Sequence, residues 1–374
     1  MSDWSALPLP PGIRSRTVET DLDLTVHYLE SGEVGAPVLL LLHGFPELSF
    51  SWRKIMVPLA QAGFHVIAPD QRGYGRTLGW ADGYDVDLEP YRMPSLVLDQ
   101  LSVLKALSID SVHAVVGHDF GSPVAAWCAL IRPDIFEHAV LMSAPFAGPP
   151  RISRQNPDID GALAQLKPPR KHYQWYYSEP EAEADMLSCT QGFRTFLAQY
   201  YFLKSAAWQR NAPHKLASWR ADQLAVMPGY YIMPKSESMA TVVSADCEGE
   251  DLSPIDAWLT AAELDVYAAE FSRTGLQGGL NWYRASTSFR ERRSSLIFAG
   301  TRIEIPVLFI AGQKDWGMFQ SPGALEAMQA EGCRDFRGSI VIPNAGHWVQ
   351  QEQPQAVIDA IFEFLSIEPA KVSG

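Results

Sequence analysis

The sequence predicts an α/β protein: a mostly parallel central sheet with helices on both faces and a mainly helical cap inserted in it. Three observations carry this prediction. Over residues 1–147, short continuous apolar runs alternate with amphipathic stretches. The same alternation returns near the C-terminus. Between the two, residues 148–295 contain few such runs, many helical segments and nine of the thirteen tyrosines. A strand buried on both faces loses its in/out alternation and becomes a short apolar run, and runs alternating with helices imply a doubly wound sheet.

Taken in order, Val38–Leu42 is the first such run, introduced by Gly35-Ala36-Pro37. Val66–Ala68, Val112–Val116 and Ala139–Met142 read the same way, and Leu96–Leu107 has apolar residues at helical spacing. Gly148-Pro149-Pro150 marks an exit from the sheet into the cap. The second part of the core, residues 296–374, supplies Val307–Ile310 and Ser339–Ile342 as strands. Pro354 then opens a final helix with Val357, Ile358, Ile361, Phe362 and Leu365 on one face. There is no internal repeat.

Composition narrows the function. With 47% hydrophobic and 20% charged residues among 374, the chain can bury a large core without metal or disulfide staples. The 30 Lys+Arg against 43 Asp+Glu give a net charge of −13, which argues against nucleic-acid or anionic-membrane partners. No apolar run approaches the roughly 18–20 residues that span a bilayer. Met1-Ser2-Asp3-Trp4 lacks the profile of a signal peptide. Cys128, Cys189, Cys247 and Cys333 are widely spaced and form no CxxC. The expectation is a soluble cytoplasmic protein with reduced thiols, and a homodimer is left open.

The sharpest motif is Gly117-His118-Asp119-Phe120-Gly121, which follows the run Val112–Val116 and precedes a helix rich in small residues. A small-x-nucleophile-x-small turn between strand and helix is a nucleophile elbow, here with aspartate where serine is usual. Aspartate is also a favoured helix cap, so the motif alone leaves both readings open. Two residues tip the balance. Asp315 lies in Gly312-Gln313-Lys314-Asp315-Trp316 and His347 in Asn344-Ala345-Gly346-His347-Trp348, each just past a predicted strand. That is the sheet edge at which α/β folds place active sites, and the order nucleophile, acid, histidine is that of the α/β-hydrolase triad. His43-Gly44-Phe45-Pro46 follows Val38–Leu42; in this fold a backbone N–H of that loop, assigned to Phe45, joins the N–H of Phe120 as an oxyanion hole.

With these residues the chain resembles the soluble epoxide hydrolases of the α/β-hydrolase fold over nearly its whole length. The resemblance rests on His43-Gly44-Phe45-Pro46, Asp70-Gln71-Arg72-Gly73-Tyr74-Gly75, the Asp119 elbow, Gly279-Leu280-Asn281-Trp282-Tyr283-Arg284, Asp315 and Gly346-His347-Trp348. The Asn281–Arg284 stretch is the most specific, because fold members with other chemistry generally lack it. The resemblance implies that Tyr283 is one of two cap tyrosines that protonate the opening epoxide, and Tyr173, in Tyr173-Gln174-Trp175-Tyr176-Tyr177, the other. It also implies that Pro46 and Trp348 line the substrate site, that a small-molecule epoxide and water are the reactants, and that no metal or organic cofactor is required. One departure is Phe120, where many relatives have tryptophan. The backbone N–H remains, but the indole that cradles halide in related haloalkane dehalogenases is lost.

An aspartate nucleophile suits attack on saturated carbon, because it leaves an ester that the remaining groups can hydrolyse. A tyrosine, neutral near pH 7, can protonate the oxygen released. His347, oriented by Asp315, would then activate water against the ester. A dehalogenase-type hydrolase, an epoxide-opening cyclase and a catalytically silent binding protein on the same scaffold are the alternatives. Arg72 and Arg76 read as structural ion-pair donors, His118 as structural or pocket-lining, Glu179–Asp185 as a solvated helix start, and Cys128 as buried.

Overall fold

The structure, a computed structural model, describes residues 6–153 and 158–366. Eight strands form one sheet in the order β1-β2-β4-β3-β5-β6-β9-β10. They are β1 (Arg14–Glu19), β2 (Thr25–Ser31), β3 (Val38–Leu42), β4 (His65–Pro69), β5 (Ala114–His118), β6 (Ala139–Met142), β9 (Ile303–Gly312) and β10 (Cys333–Ile342). From β4 to β10 every pairing is parallel, whereas β1 with β2 and β2 with β4 are antiparallel. The chain leaves the sheet after β6 and re-enters it at β9, which lies directly beside β6.

The apolar runs mark the central strands because both of their faces are covered. Leu40 and Leu42 pack with Val115, Leu141 and the helix Gly121–Ile131, while Leu39 and Leu41 pack with Trp52, Ile55, Val116 and Val140 on the other face. The final helix, Pro354–Ser366, closes that second face with Val357, Ile358, Ile361 and Phe364. Phe364 is the buried aromatic; Phe362 and Leu365 are half-buried at the margin, so the apolar face is wider than the expected stripe.

Several boundaries differ from the sequence expectation. β5 runs two residues later than the apolar run, because Val112 makes only an isolated bridge to Phe136 and His118 is still sheet. The helix Met93–Ala106 starts three residues before Leu96, with proline in its first turn. β1 and β2 escape the apolar-run criterion: β1 is an edge strand of mostly exposed residues, and β2 buries polar side chains. His27 lies 2.7 Å from Asp70 and Glu30 3.0 Å from His65, so these buried groups are paired.

Between β6 and β9 the described chain is helical, including Tyr173–Tyr176, Phe193–Lys204, Ala261–Thr274 and Gln277–Thr287. It also contains a small antiparallel pair, β7 (Arg170–His172) and β8 (Ile232–Pro234), three residues each and too short to register as a sequence pattern. Among the described residues no helix is long and apolar enough to cross a membrane.

Candidate active site

β5 delivers Asp119 at a left-handed φ of 51°, and the helix Gly121–Ile131 begins two residues later. That turn is possible because its neighbours lack side chains. A Cβ on Gly117 would sit 2.1 Å from the Gly121 carbonyl oxygen, and one on Gly121 would sit 2.1 Å from that of Leu42. Aspartate is among the few non-glycine residues that tolerate this conformation. The loop after β3 lies against the turn in the same way, since a Cβ on Gly44 would fall 2.4 Å from the Asp119 Cβ. The Phe45 N–H donates to Asp119 Oδ1 at 2.9 Å. Phe120 follows in the elbow, its ring edge-on to Trp282 at 5.2 Å and Tyr283 at 5.0 Å.

β9 and β10 release Asp315 and His347 on the same side. His347 Nε2 lies 3.2 Å from Asp119 Oδ2 but is not aligned into a hydrogen bond. Its Nδ1 lies 3.1 Å from Asp315 Oδ1, which also accepts the Gly317 N–H at 2.7 Å. With Nδ1–H donating to Asp315, the Nε2 lone pair faces Asp119. Burial and the Lys204 charge favour the neutral imidazole, but Asp315 and Asp119 outweigh them and hold its pKa above the ordinary value. Burial would raise Asp119, yet His347 and Lys204 keep it well below the usual carboxylate range. Asp315 is likewise held down by His347, against burial.

The tyrosines come from the inserted segment. Tyr283 sits on the helix Gln277–Thr287, which is pressed onto the core: a Cβ on Gly278 would lie 2.2 Å from the Gly73 carbonyl oxygen. Trp282 Nε1 donates to the Arg72 carbonyl at 3.0 Å, and Arg284 stacks on Tyr84 at 3.7 Å. These contacts turn the buried Tyr283 ring toward Phe45 (5.6 Å between ring centres) and Tyr173 (5.9 Å). Its hydroxyl has no hydrogen-bond partner among the described residues, whereas the Tyr173 hydroxyl donates to Gln320 Oε1 at 2.8 Å and accepts from Gln174 at 3.2 Å. Burial first, and the Asp119 charge second, raise both phenols well above their ordinary pKa.

The other expected residues fall as follows. Pro46 follows Phe45 through a cis bond, and its carbonyl accepts the Tyr201 hydroxyl at 2.6 Å. Trp348 is fully buried, 4.7 Å from the His347 ring, and its indole N–H is committed to the Tyr201 carbonyl at 2.9 Å. Arg72 pairs with Asp99 and Arg76 with Glu270, both as structural ion pairs. His118 bridges Glu47 (2.6 Å) and the His347 carbonyl (2.7 Å). The acid run is not wholly solvated, because Glu183 accepts the N–H groups of Leu276 and Gln277 at the start of the Tyr283 helix. Glu47, Lys204 and Gln320 are the neighbours that sequence reasoning missed. Nothing in their local sequence distinguishes them: a lysine in a last helical turn, for example, ordinarily faces solvent.

The sheet order, the elbow and the three strand-end side chains define a protein of the α/β-hydrolase fold. A family model described as alpha/beta hydrolase fold matches residues 37–191. Epoxide hydrolase A of Mycobacterium tuberculosis is 32% identical over 361 residues, covering 94% of this chain and 97% of that protein. Epoxide hydrolase 2 of Siraitia grosvenorii is 29% identical, with 94% and 98% covered. Among solved structures, an epoxide hydrolase from an endophytic Streptomyces superposes with a TM-score of 0.78 at 32% identity over 96% of both chains. Epoxide hydrolase I of potato (Solanum tuberosum) gives 0.75 at 28% identity over 95% of this chain and 99% of that one. The chain belongs to the epoxide hydrolase family of the α/β-hydrolase fold.

Proposed function

We propose that this protein opens a small organic epoxide to a vicinal diol through a covalent ester on Asp119. The observation that carries the proposal is the way Asp119 is held. Oδ1 rests on the Phe45 N–H, Oδ2 faces His347, and across the site the Tyr283 hydroxyl has no partner among the described residues. Residues 148–295 act as the cap that brings Tyr283 and Tyr173 over the nucleophile.

In the first half, Asp119 Oδ2 forms a bond to a ring carbon while the C–O bond breaks and its electron pair moves to oxygen. Tyr283 gives that oxygen a proton, assisted by Tyr173. The Asp119 charge, which disfavours phenolate, vanishes as the ester forms. Tyr283 therefore becomes a stronger acid in step with the negative charge appearing on the substrate oxygen. In the second half, His347 takes a proton from water and hydroxide adds to Cγ of Asp119. The tetrahedral oxyanion at Oδ1 is stabilised by the N–H groups of Phe45 and Phe120. Collapse breaks the Cγ–Oδ2 bond, the departing alkoxide takes the proton held by His347 to complete the diol, and the proton left on Asp119 returns to Tyr283 as the carboxylate re-forms. Phe120 offers no indole N–H to a departing halide, which favours epoxide over alkyl halide. The free thiols at Cys128, Cys189, Cys247 and Cys333 suit a reducing compartment such as the cytoplasm.

The test is His347→Gln incubated with aryl and alkyl epoxides and alkyl halides, followed by intact and peptide mass spectrometry. The expected result is an epoxide-sized adduct on the peptide containing Asp119. Adducts from halides alone would make the protein a dehalogenase. No adduct from any compound, with an inert wild type, would overturn the ester mechanism for these substrates.

A further inference from the structure

Lys204 closes the last turn of the helix Phe193–Lys204, yet it is only 4% exposed. Among the described residues its ammonium has no carboxylate and no hydrogen-bond acceptor. It lies instead against three aromatic rings, with Nζ 5.2 Å from the centre of Tyr200, 5.4 Å from Tyr231 and 5.4 Å from Trp348. Ring faces attract a cation but leave its charge in place. The same residue is tied to His347, whose backbone N–H donates to the Lys204 carbonyl at 2.8 Å.

The other charged and titratable groups facing His347 are few. Asp119 approaches Nε2 from the end of β5 and Asp315 approaches Nδ1 from the end of β9. His118 reaches the His347 carbonyl and is itself paired with Glu47. Glu352 accepts the N–H groups of Gly346 and Trp348 on either side. Of the cations in this set, Lys204 is the one whose charge no neighbouring carboxylate contact offsets.

We propose that Lys204 is a positioning charge that keeps His347 neutral in the covalent intermediate, so that the imidazole is a base when water must be activated. The inference rests on the ester mechanism above. In the resting site the carboxylates of Asp119 and Asp315 face the two ring nitrogens of His347 and favour its protonation, against the charge of Lys204. Alkylation converts Asp119 to a neutral ester and so removes the carboxylate that faces Nε2, its charge passing through the substrate oxygen to Tyr283 in the inserted segment. Beside the imidazole, the charges of Asp315 and Lys204 then oppose each other, and with the Asp119 carboxylate gone the pull toward imidazolium is weakened. Without Lys204, Asp315 would hold an imidazolium, whose Nε2 has no lone pair to accept a proton. The charge of Lys204 does oppose protonation of His347 here, against Asp315 and Asp119.

The experiment is transient kinetics with styrene oxide, resolving ester formation and ester hydrolysis across pH for wild type, Lys204→Met, Lys204→Gln and Lys204→Arg. In the neutral variants the acid limb of ester hydrolysis should move up by about one pH unit, which makes hydrolysis below the limb roughly tenfold slower. Alkyl-enzyme accumulates as a result, alkylation slows far less, and Lys204→Arg restores the limb. Lys204→Gln serves if the methionine variant does not fold. An acid limb unchanged in a folded neutral variant, or both steps slowed equally at every pH, overturns the role of Lys204 and leaves the ester mechanism intact. A wild type that forms no alkyl-enzyme overturns both.

Discussion

Tyr283 and Tyr173 carry the same hydroxyl in the same apolar surroundings, but their partners make them unequal. Tyr173 already donates to Gln320, so giving its proton to a substrate breaks an existing bond; Tyr283 has none to break among the described residues. Tyr283→Phe is therefore expected to slow ester formation by about 10²–10⁴, the usual worth of a positioned acid, with ester hydrolysis nearly unchanged. Tyr173→Phe should cost about tenfold less in the same step. Stopped-flow measurement of the two half-reactions checks both, and the reverse ranking would assign the main acid to Tyr173. At this scale the sequence was informative where a side chain sits on a recognisable backbone device. Asp119 is announced by its glycines, and Asp315 and His347 by the strands before them. Glu47, Lys204 and Gln320 join the site only because distant segments converge, which no local pattern encodes.

Among the elements, the helix Gln277–Thr287 depends most on what it lacks. Gly278 meets Gly73 backbone to backbone, and this contact sets how deeply Tyr283 reaches. Gly278→Ala would gain about 1 kcal/mol of helix propensity. The new Cβ, 2.2 Å from a carbonyl oxygen that belongs to the core, costs about 1–3 kcal/mol or more. The clash wins, so the variant should be less stable in urea denaturation and slower in ester formation. Unchanged values of both would show that the interface yields freely. The central strands were legible for a related reason: β3, β4, β5 and β6 have no exposed face, so apart from the paired His65 and His118 at strand ends their side chains are apolar. β1, β2, β7 and β8 were not legible, because an edge position, buried ion pairs or a length of three residues removes that constraint.

Across the whole molecule, the inserted segment is fastened to the sheet domain by charge as well as by apolar packing. Arg53 meets Glu263 at 2.7 Å, Arg76 meets Glu270 at 2.7 Å and Arg92 meets Glu291 at 2.6 Å. Burial would raise the Glu263 carboxyl, but Arg53 outweighs it and lowers the pKa from 4.5 to about 2. A carboxylate depressed in the folded state contributes stability above its unfolded pKa and loses that contribution as pH falls toward the folded value. Glu263→Gln keeps one side-chain oxygen for the capping box with Thr260 but turns the oxygen that accepts from Arg53 into an amide NH2, so the ion pair is lost together with its hydrogen bond. It should cost about 2 kcal/mol near pH 7, allowing for the partial exposure of Glu263, and the difference from wild type should shrink steadily below about pH 4.5. Denaturant titrations at several pH values test this; a pH-independent difference would exclude the ion pair as its source.

The asymmetric grip on Asp119 has a consequence for the history of the molecule. Under the proposed chemistry, Oδ1 stays beneath the Phe45 N–H throughout, while Oδ2 departs in the diol and an atom from solvent takes its seat. Each product thus carries an oxygen that was water one cycle earlier. Moved into isotopically heavy water, the protein would release one light diol and then only heavy ones, a memory one turnover long written in a single carboxylate.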